Sequence, residues 1–297
     1  MKLHGVIPPM VTLLDENRQI DYEANRMLID YLIANGVDGI LILGTCGEFF
    51  AFNEQERRDF VRFAVQAVGR RVPLLVGTGH IDPREAAAFT RFVGEAGADA
   101  ALVVAPYYLA LDDDALYTYY CTVAQASDTP VLFYNFPART GCSLDTPLAK
   151  RVLADCPTVV GIKDTVTDYG HTRTYVTDIR PEHPDFIIFT GWDEYFLLNL
   201  LNGGNGVIGA NSNFAPGLYA ALYRAYQEGD LAAAAECQKK IGILMGLSAV
   251  SKQSISVTKY ATSLMVDVCP MPAAPCGMLN ESQKQQVREI LSSAGLL

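Results

Sequence analysis

Short, unbroken apolar runs recur along the chain, separated by segments whose apolar residues follow helical spacing. The runs centre near Val6, Leu41, Leu75, Val103, Leu132, Val160, Ile188 and Val207. Their apolar positions are consecutive rather than alternating, as expected of strands buried on both faces of a parallel sheet. The segments between them carry helix punctuation. Asp21 opens one helix and Gly36 follows its end. Asn53, with Glu56 three residues on, opens the next, and Gly69 closes it. Asp82-Pro83 opens a third, with Gly97 after it. Eight such units predict an α/β fold, a (β/α)8 TIM barrel. A doubly wound open sheet is the competing architecture. It calls for a nucleotide fingerprint after the first strand, and here that strand runs into Ile7-Pro8-Pro9-Met10-Val11-Thr12. After Val207 the pattern is helical, over about 216–228, 230–247, 251–266 and 280–295. A barrel needs one helix after its last strand, so the surplus predicts a C-terminal helical extension acting as a lid or assembly element. The expected division is a catalytic barrel over residues 1–228 and a helical domain over 229–297.

Bulk composition narrows the partners. Half of the 297 residues are hydrophobic and 19% are charged, enough apolar material for a large core. The net charge of −10 argues against nucleic acid, which needs a basic footprint. The longest apolar run, Ile241 to Val250, is far short of the roughly 20 residues of a membrane span. Pro8, Pro9 and Asp15 break the N-terminal apolar stretch, so no signal-peptide pattern is present. The seven cysteines form no CxxC and read as reduced thiols. The expected location is the cytoplasm.

In a barrel the chemistry lies where the strands end. Strand six ends in Gly161-Ile162-Lys163-Asp164-Thr165. An amine at the mouth of an apolar strand loses hydration, which favours its neutral, nucleophilic form. The bland alternative is a lysine ion-paired to a neighbour such as Asp164. Strand two ends in Gly44-Thr45-Cys46-Gly47-Glu48, where two glycines let backbone amides approach an anion; an ordinary turn is the alternative. Strand four ends in Ala105-Pro106-Tyr107-Tyr108. Strand five ends in Tyr134-Asn135-Phe136-Pro137-Ala138-Arg139. There a phenol can relay a proton and a guanidinium can hold a carboxylate; alternatively Tyr134 caps the core and Arg139 pairs with a surface acid. Together an amine, a phenol, an anion cradle and a guanidinium suit imine chemistry on a 2-keto acid.

GTCGE, YNFP and GIKDT together resemble the motifs of the dihydrodipicolinate synthase / N-acetylneuraminate lyase family of Schiff-base pyruvate enzymes, and the resemblance spans essentially the whole chain. It implies a barrel with a C-terminal helical domain, usually assembled as a homotetramer, and no metal or organic cofactor. It implies Lys163 as the imine-forming lysine and Tyr134 as the proton donor or acceptor. Thr45 would link Tyr134 to a second tyrosine, Tyr108, reaching in from a neighbouring subunit. Gly44, Thr45, Cys46 and Gly47 would bind the pyruvate carboxylate, Ile208 would face the pyruvate moiety, and Arg139 matches an arginine that binds the aldehyde's carboxylate. Within the family, Cys46, Leu109-Ala110-Leu111 after the tyrosine pair, and Asp164-Thr165 after the lysine depart from the synthases. Ile7-Pro8-Pro9, YNFP, GIKDT and Asn213-Phe214-Ala215-Pro216 resemble bacterial 2-keto-3-deoxygluconate-type aldolases. Ile81 stands where a lysine-inhibitor site would place an amide, so feedback by lysine is not expected.

The expected function is therefore a lyase that reversibly cleaves a 2-keto-3-deoxy sugar acid to pyruvate and an aldehyde. The alternative is dihydrodipicolinate synthase, condensing pyruvate with aspartate semialdehyde. A catalytically silent ligand-binding barrel is the reading from another class. Other features carry less. Asp112-Asp113-Asp114 reads as a solvated helix start. His4, His80, His171 and His183 show no metal-ligand spacing, though His80 ends strand three and could border the site. Cys46 has no cationic neighbour in sequence to activate it.

Overall fold

Each apolar run becomes a strand in the computed structural model, which describes residues 3–297. The strands are β1 (Gly5–Val6), β2 (Ile40–Ile42), β3 (Leu74–Gly77), β4 (Ala100–Val104), β5 (Val131–Asn135), β6 (Val159–Asp164), β7 (Ile187–Thr190) and β8 (Gly206–Val207). All adjacent pairs are parallel, in the order β1-β8-β7-β6-β5-β4-β3-β2. The circle closes through a parallel bridge between Pro9 and Leu41. There the Met10 amide donates to the Leu41 carbonyl at 2.7 Å, and the Leu41 amide donates to the Pro8 carbonyl at 3.0 Å. Pro8 and Pro9 lack an N–H, so the first strand bonds β8 through its start and β2 through its end.

The helices are α1 (Tyr22–Ala34), α2 (Glu54–Val68), α3 (Pro83–Ala96), α4 (Asp113–Ala124), α5 (Pro137–Thr140), α6 (Thr146–Asp155), α7 (Tyr169–Thr174), α8 (Phe196–Leu201), α9 (Pro216–Gln227), α10 (Leu231–Leu244), α11 (Ser254–Ser263) and α12 (Glu281–Ser293). The sequence punctuation operates as read. Asp21 and Asp82 accept amides at the starts of α1 and α3, and Asn53 and Glu56 form a reciprocal capping box on α2. Asp112 caps α4, so the acidic triplet is a helix start. Of the expected C-terminal helices, the one predicted over 251–266 begins only at Ser254. A short 3-10 stretch, Met245–Ala249, and the 250–253 link precede it.

Side chains alternate across the sheet with a period of two. Leu132, Tyr134 and Phe189 fill the barrel interior with Ile7, Leu41 and Ile208. Their neighbours Phe133, Ile162 and Ile188 face outward, beneath the helices. The register sets Val104, Tyr134, Lys163 and Phe189 side by side on consecutive strands, so one interior layer carries a single amine.

The C-terminal segment is fastened to the barrel by a buried ion pair. Lys259 on α11 lies 2.5 Å from Glu48 Oε2, and both side chains are 0% exposed. This is a charge contact off the ideal hydrogen-bonding angle. The other Glu48 oxygen accepts the Ala273 amide at 2.9 Å, and Lys259 also donates to the Met271 carbonyl at 2.8 Å. Burial pushes the Lys259 ammonium below its ordinary value, against the pull of Glu48. Glu48 directly follows the Gly44–Gly47 loop, so the pair ties that loop to the helical extension.

Candidate active site

Lys163 sits at the C-terminal end of β6 and is only 4% exposed. Its Nζ lies 4.3 Å from the centre of the Tyr134 ring on the adjacent strand. Strand alternation turns Asp164 to the opposite face, where it accepts hydrogen bonds from Asn135 Nδ2 at 2.8 Å and Thr172 Oγ1 at 2.7 Å and contacts His171 Nδ1 at 2.8 Å. The ion pair between Lys163 and Asp164 that the sequence allowed is therefore not formed. Among the described residues Lys163 has no salt-bridge partner within 4 Å, which leaves its amine available.

The Tyr134 hydroxyl shares a hydrogen bond of 3.2 Å with Thr45 Oγ1. Thr45 belongs to the loop after β2, and the amides of Thr45 and Cys46 find no acceptor among the described residues. Both residues line the cavity described below. Thr12 Oγ1 supports the loop from below, donating to the Gly47 carbonyl at 2.7 Å. A Cβ on Gly47 would stand 2.9 Å from the Leu43 amide nitrogen, so no larger residue fits without moving the loop. Cys46 lines the same chamber, but burial pushes its thiol up to about 11 despite the nearby Lys163 ammonium. It is a protonated filler at neutral pH.

Lys163, Tyr134, Thr45, Cys46, Arg139 and Ile208 meet in one cavity of about 310 Å³. Ile208 donates its amide to the Thr190 carbonyl at 2.9 Å. Of the expected loop residues, Gly44 and Gly47 are not in the lining. Arg139, at the exposed end of α5, forms no salt bridge among the described residues; the surface-acid alternative is not realised. Tyr108 does not reach the chamber of its own chain. It is 93% exposed, with a left-handed φ of 82°. Its neighbour Tyr107 lines an adjoining outer chamber of about 380 Å³. His80 is occupied with capping the start of α3, its Nδ1 accepting the Asp82 amide at 3.0 Å, and it does not border the cavity.

Several lining residues escaped the sequence reading. After β7 come Gly191, Trp192 and Asp193. A Cβ on Gly191 would lie 1.8 Å from Thr165 Oγ1 and 3.2 Å from Lys163 Cε, so this glycine keeps the amine's surroundings open. Asp193 is buried and accepts from the Tyr219 hydroxyl at 2.5 Å and the Asn211 amide at 3.3 Å. Burial nevertheless raises its carboxyl to about 6, and Lys163 is among the groups drawing it back down. Thr165 Oγ1 and Trp192 Nε1 are buried and make no hydrogen bond among the described residues. The rule that chemistry sits at strand ends flags Gly191, Trp192 and Asp193. The C-terminal segment also contributes, with Ser248, Lys252 and Thr258 roofing the chamber. No group of three or more His, Cys, Asp or Glu among the described residues is placed to hold a metal ion.

The sequence profile of the dihydrodipicolinate synthetase family matches residues 2–294. The chain belongs to this family. Membership places it among lyases on a TIM-barrel fold. It is 36% identical to a protein of Escherichia coli K12 named probable 2-dehydro-3-deoxy-D-pentonate aldolase YjhH, over 100% of this chain and 99% of that protein. It is 34% identical to a 4-hydroxy-tetrahydrodipicolinate synthase of Nitratidesulfovibrio vulgaris, over 100% of both chains. Among solved structures, E. coli YagE, crystallised in complex with pyruvate, superposes with a TM-score of 0.97 at 35% identity, over 99% of each chain.

Behind the site, His171 bridges two carboxylates. Its Nδ1 meets Asp164 at 2.8 Å and its Nε2 meets Asp145 at 3.1 Å. Burial alone would lower its pKa, but the two acids outweigh it and the net shift is upward from 6.5. A folded-state value above the unfolded one stabilises the fold fully below about pH 6.5, and the gain is lost as pH rises through the raised value. The stability difference between wild type and a His171→Gln variant is therefore expected to grow as pH falls from 9 to 6. Thermal unfolding across that range checks this, and parallel curves for the two proteins would refute it.

Proposed function

We propose that this protein reversibly cleaves a 2-keto-3-deoxy sugar acid into pyruvate and an aldehyde through an imine on Lys163. The observation that carries the reading is a buried amine with no salt bridge among the described residues, set in one barrel layer with Tyr134 and in one cavity with Thr45 and Cys46. The keto acid's carboxylate accepts from Thr45 and Cys46, which brings its ketone to Lys163. Nζ adds to the carbonyl carbon, water leaves, and an iminium results. Tyr134 relays the proton of the C4 hydroxyl, passing its own phenolic proton through Thr45 Oγ1 to water as the substrate's proton arrives. The C3–C4 bond breaks, its electrons neutralise the iminium as an enamine, and the aldehyde departs. Protonation at C3 and hydrolysis release pyruvate and restore the amine. The electron sink is the lysine adduct itself, so the step draws on no metal or organic cofactor.

The sugar-acid aldolase name of YjhH supports a sugar acid over aspartate semialdehyde. The synthase reading keeps Lys163 and changes the second substrate. Pyruvate release from 2-keto-3-deoxygluconate, coupled to lactate dehydrogenase, separates the two when aspartate semialdehyde condensation is run in parallel. Release without condensation supports the aldolase; condensation without release moves the chain to the synthases.

The exposed Tyr108 supports a homotetramer in which this ring is covered by, and completes the site of, a neighbouring copy. The seven free cysteines fit a reducing compartment, the cytoplasm. No helix among the described residues is long and apolar enough to cross a membrane.

Tyr134→Phe is expected to lower turnover about a hundredfold, the scale of a lost positioned proton carrier. It leaves the ketone's attacker in place, so pyruvate still becomes trapped on the enzyme by borohydride. Mass spectrometry of the trapped protein checks this. Loss of trapping in the variant would instead assign Tyr134 to building the adduct.

A further inference from the structure

Tyr134 and Lys163 pair in register at the ends of β5 and β6, and the next pair along is Asn135 and Asp164. Strand alternation turns this second pair away from the chamber, into a buried network. Asn135 Nδ2 donates to Asp164 at 2.8 Å, and Asn135 Oδ1 accepts the Leu144 amide at 3.1 Å. The Tyr175 hydroxyl, on the π-helical turn Tyr175–Ile179, donates to the Leu144 carbonyl at 2.5 Å. His171 spans the network, meeting Asp164 with Nδ1 at 2.8 Å and Asp145 with Nε2 at 3.1 Å. Directly behind Tyr134 and Lys163, then, the two strand ends are tied to each other, to α7 and to the segment before α6.

Both nitrogens of the His171 ring face a carboxylate. A neutral imidazole has one N–H and donates to only one of them, which sets its other nitrogen's lone pair against an anion. Only the imidazolium donates to both, so the observed geometry is that of the protonated ring. Among the described residues His171 is the sole salt-bridge partner of the buried Asp164. Asp164 and Asp145 are the charged groups that bear on the ring. Arg173 and Asp168 of its own helix and Asp178 of the following turn are exposed. Tyr169 and Tyr175 keep their protons, because burial pushes both phenols up.

We infer that protonated His171 is a positioning residue for the chemistry at Lys163. By holding Asp164 and Asp145 at once it fixes the ends of β5 and β6. Through them it sets Lys163 Nζ against Tyr134, 4.3 Å from the ring centre. When the ring loses its proton one of its two contacts fails, the strand ends gain freedom, and proton transfer at the lysine adduct slows. The inference rests on the Lys163 imine reading and holds whichever aldehyde is the second substrate.

The test follows, by NMR in deuterated buffer, the exchange of pyruvate's methyl hydrogens for deuterium. Exchange removes a proton from C3 of the pyruvate iminium, leaves an enamine and returns a deuteron. It therefore needs Lys163 and a proton carrier but no aldehyde. Rates are referred to the number of sites that trap pyruvate with borohydride, which discounts unfolded protein. The ratio of wild-type to His171→Gln rates cancels every titration the two proteins share. It is expected to be about ten below about pH 6.5, part of the roughly hundredfold that a 1 Å misplacement costs. It falls toward one by about pH 9, as the wild-type ring passes through its raised value and loses its proton. Asp145 has a side chain 66% exposed and lines neither chamber, so Asp145→Asn spares the fold. Removing this acid lowers the midpoint of the fall by about half a pH unit, the scale of an exposed pair. A ratio that stays constant with pH makes His171 purely structural, and an unmoved midpoint in Asp145→Asn assigns the titration to another group. Either result overturns the inference while leaving the imine intact. Trapped pyruvate without exchange at any pH also overturns it, since the paired residues then move no proton. A wild type that neither traps nor exchanges pyruvate overturns the imine reading and this inference with it.

Discussion

Replacing Lys163 by alanine is expected to lower pyruvate release by on the order of 10⁴-fold or more, the scale seen when a covalent nucleophile is removed. Nothing else in the chamber can take its place. Lys252 and Arg139 stand at the rim, and the Cys46 thiol is held protonated by burial. The same change abolishes the mass gained when wild-type protein is treated with pyruvate and borohydride. The fold tolerates the substitution, because the amine borders an open cavity and breaks no ion pair when it is lost. Trp192 supplies the control. It is the chain's single tryptophan and lies in the chamber lining, so its fluorescence reports both folding and local structure. A Lys163→Ala protein with wild-type fluorescence but no adduct and no turnover is the expected outcome. Retention of the borohydride adduct in that variant would place the imine on another lysine.

The barrel was legible because its signals are local. Eight apolar runs, the caps Asp21, Asn53 and Asp82, and the stops Gly69 and Gly97 each act within a few residues. The candidate site was legible for a related reason: the barrel rule turns strand ends in sequence into neighbours in space, which brings Thr45, Tyr134 and Lys163 together. The same rule marks Asp193 at the end of β7, and the sequence reading stopped short of it. Other features depend on information that no window contains. Which way Asp164 points follows from strand alternation, and its capture by Asn135, Thr172 and His171 follows from the docking of α7. That Lys252 and Thr258 roof the chamber follows from how α11 sits on the barrel. Glu48 illustrates both sides. Its motif was read as part of an anion loop, yet its carboxylate turns away from the chamber to meet a lysine more than two hundred residues onward.

That pair makes the largest stability prediction. A buried ion pair is a poor source of net stability, because desolvating both charges offsets their attraction. Removing only one partner is a different matter. Lys259→Met leaves the Glu48 carboxylate with the Ala273 amide as its remaining donor, at a site with no exposure to water. The expected cost is about 3–5 kcal/mol, seen as a lower midpoint in chemical denaturation. Glu48→Gln carries the converse penalty, leaving the buried ammonium without its counter-charge and held by neutral acceptors such as the Met271 carbonyl. The double variant Glu48→Gln/Lys259→Met removes both charges, so it should recover part of the loss rather than add to it, with a coupling of roughly 1–3 kcal/mol. Additive losses in the double variant would mean that the two side chains act independently. The pair also predicts where the damage appears first. Glu48 follows the loop whose amides we propose receive the carboxylate, and Lys259 lies on the helix that roofs the chamber. In the singly substituted proteins, pyruvate affinity should therefore weaken at denaturant concentrations below those that unfold the barrel.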